Sequence, residues 1–439
     1  MPCIDRLGSS SPPAASVTLK ANTPLDTKTP TLRLRLASTL FVHVSLLACL
    51  SVSAFSQASA AKAGGTLSFR PADSQNAIAF DHFYNLDYDR AIQGFEQVLQ
   101  RHPDDAFALN HLLTAVQFKE LYRMGALNTG DYSNDSFVGK VHQNPDPKVK
   151  EQIKTLVDRA TKLEDKSLAT NPNDVDMLYA RGVTRAQFST YTALMERAWF
   201  SALRNAVGAR RDHERVLELS PGYTDAKLIV GAHNFVMGSL PWAVKAAVSM
   251  VGLSGSKEKG LDYLRESANG TGETSVDAKI LLALFLRREH QYDEALRDTR
   301  SLIPAYPRNV LLALEEGNLL RAEGHNQEAA DAYRQIWLAG KAGHYAGLHY
   351  EAAALSLGDL LRSEKDYVGA AAAYDEVNEV AQPDPEIAQK ADLGAGEMYD
   401  LLQKRDLALK KYQAVIASNA DSPPAEIARK HMKEAYRAD

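Results

Sequence analysis

The 439-residue chain predicts an all-α fold in which short helical hairpins stack into a solenoid, and three observations lead there. Four segments repeat one pattern at about the length of a hairpin: Tyr292-Asp293-Glu294-Ala295-Leu296, His325-Asn326-Gln327-Glu328-Ala329, Asp366-Tyr367-Val368-Gly369-Ala370 and Leu407-Ala408-Leu409. Their alanines stand 34, 41 and 38 residues apart. Twelve positions before each alanine comes another small residue: Ala283, Gly317, Gly358 and Gly396. No segment alternates apolar and polar residues as a half-buried strand would.

Each element follows from this frame. After each alanine comes an apolar or aromatic spine, such as Tyr333 and Ile336, Tyr374 and Val377, or Tyr412 and Val415. The pattern resembles the tetratricopeptide repeat family over at least residues 276–422. That resemblance implies a tetratricopeptide-type α-α superhelix, in which a small residue on the first helix of a hairpin crosses closely against one on the second. The physical need is general: two short amphipathic helices cannot bury their apolar faces alone, so hairpins lean on one another. Tyr88-Asp89-Arg90-Ala91-Ile92, with Phe95, Val98 and His102-Pro103, is an N-terminal copy, paired with a helix over residues 75–85 and followed by one from Ala106 to Leu121. Between the copies the pattern is degenerate and predicts longer helices over 151–170, Val175 to Tyr191 and Glu196 to Leu219. Asn171-Pro172 and Ser220-Pro221-Gly222 end the first and the last of these. The division expected is a signal region over 1–60, a repeat block over 61–123, a loop insertion over 124–150, elongated hairpins over 151–270, and a second repeat block over 271–439. Seven to eight hairpins are expected in all.

Residues 1–60 are different material. Arg33 and Arg35 precede an apolar run from Leu36 to Val52 and the small-residue stretch Ser56-Gln57-Ala58-Ser59-Ala60. This is the layout of a secretory signal, with cleavage expected after Ala58 or Ala60, and it predicts an exported, periplasmic or extracytoplasmic protein. Leu46-Leu47-Ala48-Cys49 also resembles a bacterial lipobox, which would make Cys49 a lipidation site and the chain membrane-anchored. The only two cysteines, Cys3 and Cys49, precede the expected cut, so the processed chain would carry no disulfide or thiolate chemistry. Losing residues 1–60 removes five basic and two acidic groups and takes the net charge from −5 to −8. An acidic chain without a basic run does not suggest nucleic acid as a partner.

Two segments stand apart. Residues 124–147 are rich in Gly, Asn, Asp and Pro and carry Tyr132 and Phe137, so they read either as a surface insertion or as a functional loop. Phe235 to Leu253 is apolar and contains Ser239-Leu240-Pro241-Trp242 and Gly252-Leu253-Ser254-Gly255. With Lys259-Gly260-Leu261 and Leu264 it resembles the eukaryotic inclusion-body-clearance tetratricopeptide proteins. It reads as a helix sealing the junction between blocks, or as one docking on a membrane or partner helix.

Catalytic signatures are lacking: the sequence holds no Gly-x-Ser-x-Gly elbow, Walker loop or His-Glu-x-x-His. His344, His349 and Glu351 are the densest histidine group, but five positions on a helix turn the two rings apart and make a poor chelate. Neither an enzyme nor a cofactor or metal is expected. The resemblance is more informative about binding. Four residues after each crossing point, on the inner side, stand Arg287, Arg321, Arg362 and Asp400, with Arg288 beside the first and Asn318 one turn before Arg321. In some peptide-binding members of the family such residues clamp a carboxylate, a task suited to the planar fork of Arg. Arg287 and Arg321 could equally pair with Glu315 or Asp359 inside the solenoid. Tyr412 to Ala435, with Ser422-Pro423-Pro424-Ala425, is similar to repeats of outer-membrane assembly and Tol-associated envelope proteins. The function expected is an exported scaffold binding proteins or extended peptides, the alternative being a membrane-tethered lipoprotein in envelope assembly.

Overall fold

The computed structural model describes residues 69–129, 143–240, 242, 245 and 254–438. The expected signal region, Cys49, Tyr132, Phe137 and Met250 to Leu253 lie outside the described residues. Seventeen α-helices and no strand occur among the described residues. In chain order they are α1 (Ser74–Tyr84), α2 (Tyr88–Arg101), α3 (Ala106–Arg123), α4 (Pro147–Thr170), α5 (Val175–Leu194), α6 (Trp199–Leu219), α7 (Ala226–Ser239), α8 (Lys257–Ala268) and α9 (Ser275–Arg288). There follow α10 (Tyr292–Leu302), α11 (Val310–Glu323), α12 (Asn326–Lys341), α13 (Ala352–Ser363), α14 (Tyr367–Glu376), α15 (Pro385–Leu401), α16 (Arg405–Ser418) and α17 (Pro423–Lys433). They pair as eight successive hairpins, and α17 covers the open side of α15 and α16. One apolar core runs along the array from Ala79 to Met398.

The crossing of each C-terminal hairpin has a definite chemistry. A methyl group at Gly317 would stand 2.5 Å from the ring of Tyr333, one at Gly358 2.5 Å from Tyr374, and one at Gly396 2.6 Å from Tyr412. A tyrosine from the second helix therefore lies flat over a bare stretch of the first. Its hydroxyl then donates to Asn318 at 2.8 Å, Asp359 at 2.6 Å and Asp400 at 2.8 Å respectively, which satisfies a phenol whose ring is almost wholly buried.

The turn within five of the hairpins is equally regular. Leu86, His290, Gly324, Lys365 and Gln403 all take positive φ, between 58° and 92°, and each lies two residues before its second helix. The next amide in each case reaches back five residues, as in Asp87 N to His82 O and Asp366 N to Leu361 O, which is the Schellman pattern. Arg197 repeats the conformation at φ 53°. That is why the helix expected from Glu196 starts at Trp199, and the one expected to end at Tyr191 runs on to Leu194. At the other boundary, Pro147 is not part of the loop. Asp146 caps α4 through Lys148 N, and Pro147 takes the first helical position, where its missing N–H costs nothing.

Hairpin α7–α8 is closed by glycine on both sides. A methyl group at Gly260 would meet Phe235 N at 2.5 Å and Gly231 O at 2.8 Å, and one at Gly238 would meet Lys257 N at 2.4 Å. The two backbones touch, and Phe235 stacks on Phe285 of α9 with centroids 4.0 Å apart.

A polar seam joins α3, α4 and α5. Thr184 Oγ1 lies 2.7 Å from Asn110 Oδ1 and 2.6 Å from Glu164 Oε1, while Asn110 Nδ2 donates to Ala180 O. A hydroxyl has one proton, so both contacts are satisfied only when Glu164 brings a proton of its own. Burial pushes the Glu164 carboxyl up to about 7, opposed by Thr184 and Arg181 and assisted by Asp165 and Asp212. The folded chain thus keeps a proton that the unfolded chain releases near 4.5. Stability from this group is complete below about 4.5 and is lost as pH rises through about 7, for a total of about 3 kcal/mol. Glu164→Gln should therefore raise the urea midpoint at pH 8 relative to wild type and leave it nearly unchanged at pH 4.5. A wild-type slope in the variant would refute the assignment.

Candidate functional site

The array closes on itself. Tyr84 at the end of α1 donates to Asp277 of α9 at 3.1 Å, and its ring lies 4.9 Å from that of Tyr306. Asn309 caps α11 with its carbonyl oxygen while its amide donates to Tyr84 O at 2.7 Å. Arg308 N donates to Asn85, and His349 N donates to the Tyr122 hydroxyl at 3.0 Å. First helices thus face one another across the middle, and the first two hairpins fill part of the inner face that the C-terminal repeats would otherwise offer. At this junction lies a cavity of roughly 100 Å³, walled chiefly by Phe83, Phe118, Ile280, Leu284 and Leu311.

The ends of the loop insertion follow the same path. Thr129 donates to Glu315 of α11, Gln143 donates to Asp384 at 3.2 Å, and Arg123 binds the Asn144 carbonyl at 2.7 Å. A second cavity of roughly 70 Å³ lies between Tyr122, Leu127, Leu311, Leu314, His349 and Ile387.

At the other end of the closure Arg70 enters the centre. Its guanidinium lies 4.5 Å from the centroid of Phe107, 5.1 Å from Tyr223 and 5.8 Å from Tyr179. It pairs with Asp176, with Glu273 at 3.3 Å and with Asp225 at 3.9 Å. One side chain thereby binds α3, α5, the α6–α7 turn and the α8–α9 turn. Burial pushes the Glu273 carboxyl, 1% exposed, well above its usual range, and the Arg70 charge opposes that. Asp225 accepts from both N and Oγ1 of Thr274 at 3.0 Å. No motif in the sequence marks Arg70; its isolation just before Pro71 is visible only as a lone cation.

The inward residues named from the sequence are placed as follows. Arg287 is locked to Glu315 at 3.0 Å, with 12% and 6% of the two side chains exposed. Arg288 closes the last turn of α9, where a cation suits the carbonyl end of a helix. Asn318 receives the Tyr333 hydroxyl and reaches Glu315. Arg362 pairs with Glu397 at 2.6 Å and donates to Tyr436. Arg321 touches the main-chain carbonyl of Asp359 at 3.3 Å and remains half exposed. Much of the charge of these residues is thus engaged inside the protein. His344 points to Pro307 O at 2.8 Å, whereas His349 turns to Glu351, whose carboxylate raises the imidazole's pKa.

Hairpins crossed by glycine against tyrosine, stacked in register and turned on one another, define a tetratricopeptide-type α-α superhelix. No family model and no curated protein matches the chain. Among solved structures, Pseudomonas aeruginosa PilF is 15% identical, with TM-score 0.35 over 57% of this chain and 97% of that one. The human IFIT1 dimer with m7Gppp-AAAA is 12% identical, with TM-score 0.39 over 90% and 85%. The APC/C hetero-tetramer Cut9–Hcn1 is 14% identical, with TM-score 0.33 over 84% and 79%.

Proposed function

We propose that this chain is an exported, non-catalytic scaffold of the cell envelope that holds extended peptides or partner helices along the inner face from α11 to α15. The observation that carries this reading is the half-exposed Arg321, set four residues after the crossing glycine and repeated in position by Arg362 on the next hairpin. A carboxylate of an extended ligand would meet the Arg321 fork, while Arg362 keeps its own pairing with Glu397. Leu311, Leu314 and Ile387 around the smaller cavity supply apolar surface on α11 and α15. Export rests on Arg33, Arg35 and the apolar run that follows; the Leu46-Leu47-Ala48-Cys49 segment supports a lipid-anchored form of the same scaffold. The likeness of Ser239 to Leu264 to the inclusion-body-clearance proteins fits a polypeptide-handling role and adds no chemistry.

Arg321→Glu should weaken capture of partners from an envelope extract at least tenfold, the range expected for a lost charge-assisted hydrogen bond of about 1.5–3 kcal/mol. Its helical circular dichroism should match wild type, because Arg321 contributes one main-chain contact to the fold. Undiminished capture by the folded variant would overturn the proposal.

A further inference from the structure

The segment that leaves α17 folds back onto the array. Glu434 breaks the helix at φ −136° and ψ 124°, which are extended values, and the residues after it reach α15 and α13. Tyr436 holds them there. Its amide donates to Asp400 Oδ2 at 2.8 Å, and its hydroxyl accepts from Arg362 Nη2 at 3.0 Å. Its ring lies 5.4 Å from the Arg362 guanidinium and meets the His431 ring edge-on, with centroids 5.2 Å apart. On either side Glu434, Ala435, Arg437 and Ala438 are exposed, and Tyr436 alone is half-buried. The segment is therefore fastened by a single anchor.

The receiving side contacts main chain as well as side chain. Asp400, with its side chain wholly buried, pairs with Arg405 at 2.8 Å and accepts the Tyr412 hydroxyl at 2.8 Å beside the Tyr436 amide. Arg405 in turn donates to the carbonyls of His431 and Met432 at 2.7 Å and 2.9 Å. A carboxylate that takes an N–H and a guanidinium that supplies carbonyls read a backbone, whatever its sequence. Arg362, paired with Glu397 at 2.6 Å, adds a cation under an aromatic ring and a donor for its hydroxyl. Arg362 and Asp400 each stand four residues after a crossing glycine, Gly358 and Gly396.

We propose that Arg362, Glu397, Asp400 and Arg405 form a subsite for an extended peptide segment carrying a tyrosine, and that the chain's own Tyr436 is its resident competitor. The proposal rests on the inner face of α11 to α15 being the binding face, and it names what the far end of that face takes. The occupant is argued from the segment already seated there, which is extended and held through one amide and one phenol. Charge points the same way. Glu397 and Asp400 repel a carboxylate or a phosphate, whereas a phenol brings a ring for the Arg362 cation and no charge of its own. A tether of a few residues supplies Tyr436 at an effective concentration in the mM range, so it masks the subsite against weak ligands and yields to strong ones.

The test uses the full chain and a fluorescent peptide of residues 432–438, capped at both ends so that it carries no terminal charge. Tyr436→Ala vacates the subsite while Asp400 keeps Arg405 and Tyr412, so circular dichroism and the urea midpoint should stay at wild-type values. Fluorescence anisotropy should show the peptide binding Tyr436→Ala at least tenfold more tightly than wild type, whose own segment competes. Arg362→Met added to Tyr436→Ala should weaken that binding severalfold. The proposal is overturned by a peptide that does not bind folded Tyr436→Ala, or that binds wild type equally well. It is overturned too by equal binding of a peptide carrying Tyr436→Glu, which would make the occupant a carboxylate. Partner capture through Arg321 is a separate measurement: peptide binding without Arg321-dependent capture removes the envelope partner and keeps the subsite, and the reverse result removes the subsite alone.

Discussion

Arg70→Met should lower the free energy of unfolding by about 3–5 kcal/mol at neutral pH, the range for removing one partner from a buried ionic group. Met fills much of the same space and keeps an apolar stem against Phe107, so the loss isolates the charge. What remains behind is Glu273 at 1% exposure and a nearly buried Asp225, now facing each other without a cation. Attraction to the Phe107 and Tyr223 rings disappears as well. The sign of the pH dependence follows. Glu273, already pushed up by burial, takes up a proton more readily once Arg70 is gone, so the deficit of the variant should shrink as pH is lowered from 7 toward 5. Urea midpoints for both proteins across that interval would show it, and limited proteolysis should release the first hairpin at lower protease in the variant. A variant whose midpoint matches wild type at pH 7 would mean that Arg70 does not hold the closure.

Gly260→Val should cost about 3 kcal/mol or more, and Gly260→Ala should already be destabilising. Helix propensity alone argues the reverse, since Ala is favoured over Gly by about 1 kcal/mol inside a helix. The packing decides. The atoms that a side chain at 260 would meet at 2.5–2.8 Å are Phe235 N, Phe235 Cα and Gly231 O, all main chain, and none can swing aside. Overpacking against mobile side chains costs typically 1–3 kcal/mol; here α7 and α8 must separate, which opens the Phe235–Phe285 stack and Leu264 to water. Gly222→Ala is the control, because nothing lies within 4 Å of a methyl group there. A Gly260→Ala protein more stable than wild type would show that the hairpin has slack.

Much of the architecture was legible from small residues. The twelve-residue offset between Gly317, Gly358, Gly396 and their alanines marks the crossing points, because a solenoid repeats local contacts and local contacts leave periodic traces. The turns were not legible. Leu86, His290, Lys365 and Gln403 adopt a left-handed conformation that Gly usually signals, and only Gly324 carries that sign. Helix boundaries moved for the same reason at Arg197. Counting singled out Arg287 and Arg362, yet their pairing with Glu315 and Glu397 depends on neighbours 28 and 35 residues away, which a single-helix pattern does not encode. Arg70 and the long-range contacts of Tyr84 were invisible altogether: Glu273 lies 203 residues from Arg70, and Asp277 and Asn309 lie 193 and 225 residues from Tyr84, and no period connects them.

The meeting of Arg70 with Glu273 also sets an order of events during biosynthesis. Most solenoids can consolidate behind the moving terminus, because every unit touches only those made just before or after it. Here the first-made part of the chain has to wait for the residues near 273, 306 and 349 before Arg70, Tyr84 and Tyr122 meet Glu273, Tyr306 and His349. Joining ends so far apart carries a chain-entropy cost that nearest-neighbour stacking avoids, and it slows the final step relative to the rest. Until then the sides of Tyr84, Tyr122 and Leu127 that meet the later hairpins stay wet, which leaves a nascent chain paused before residue 273 open to association.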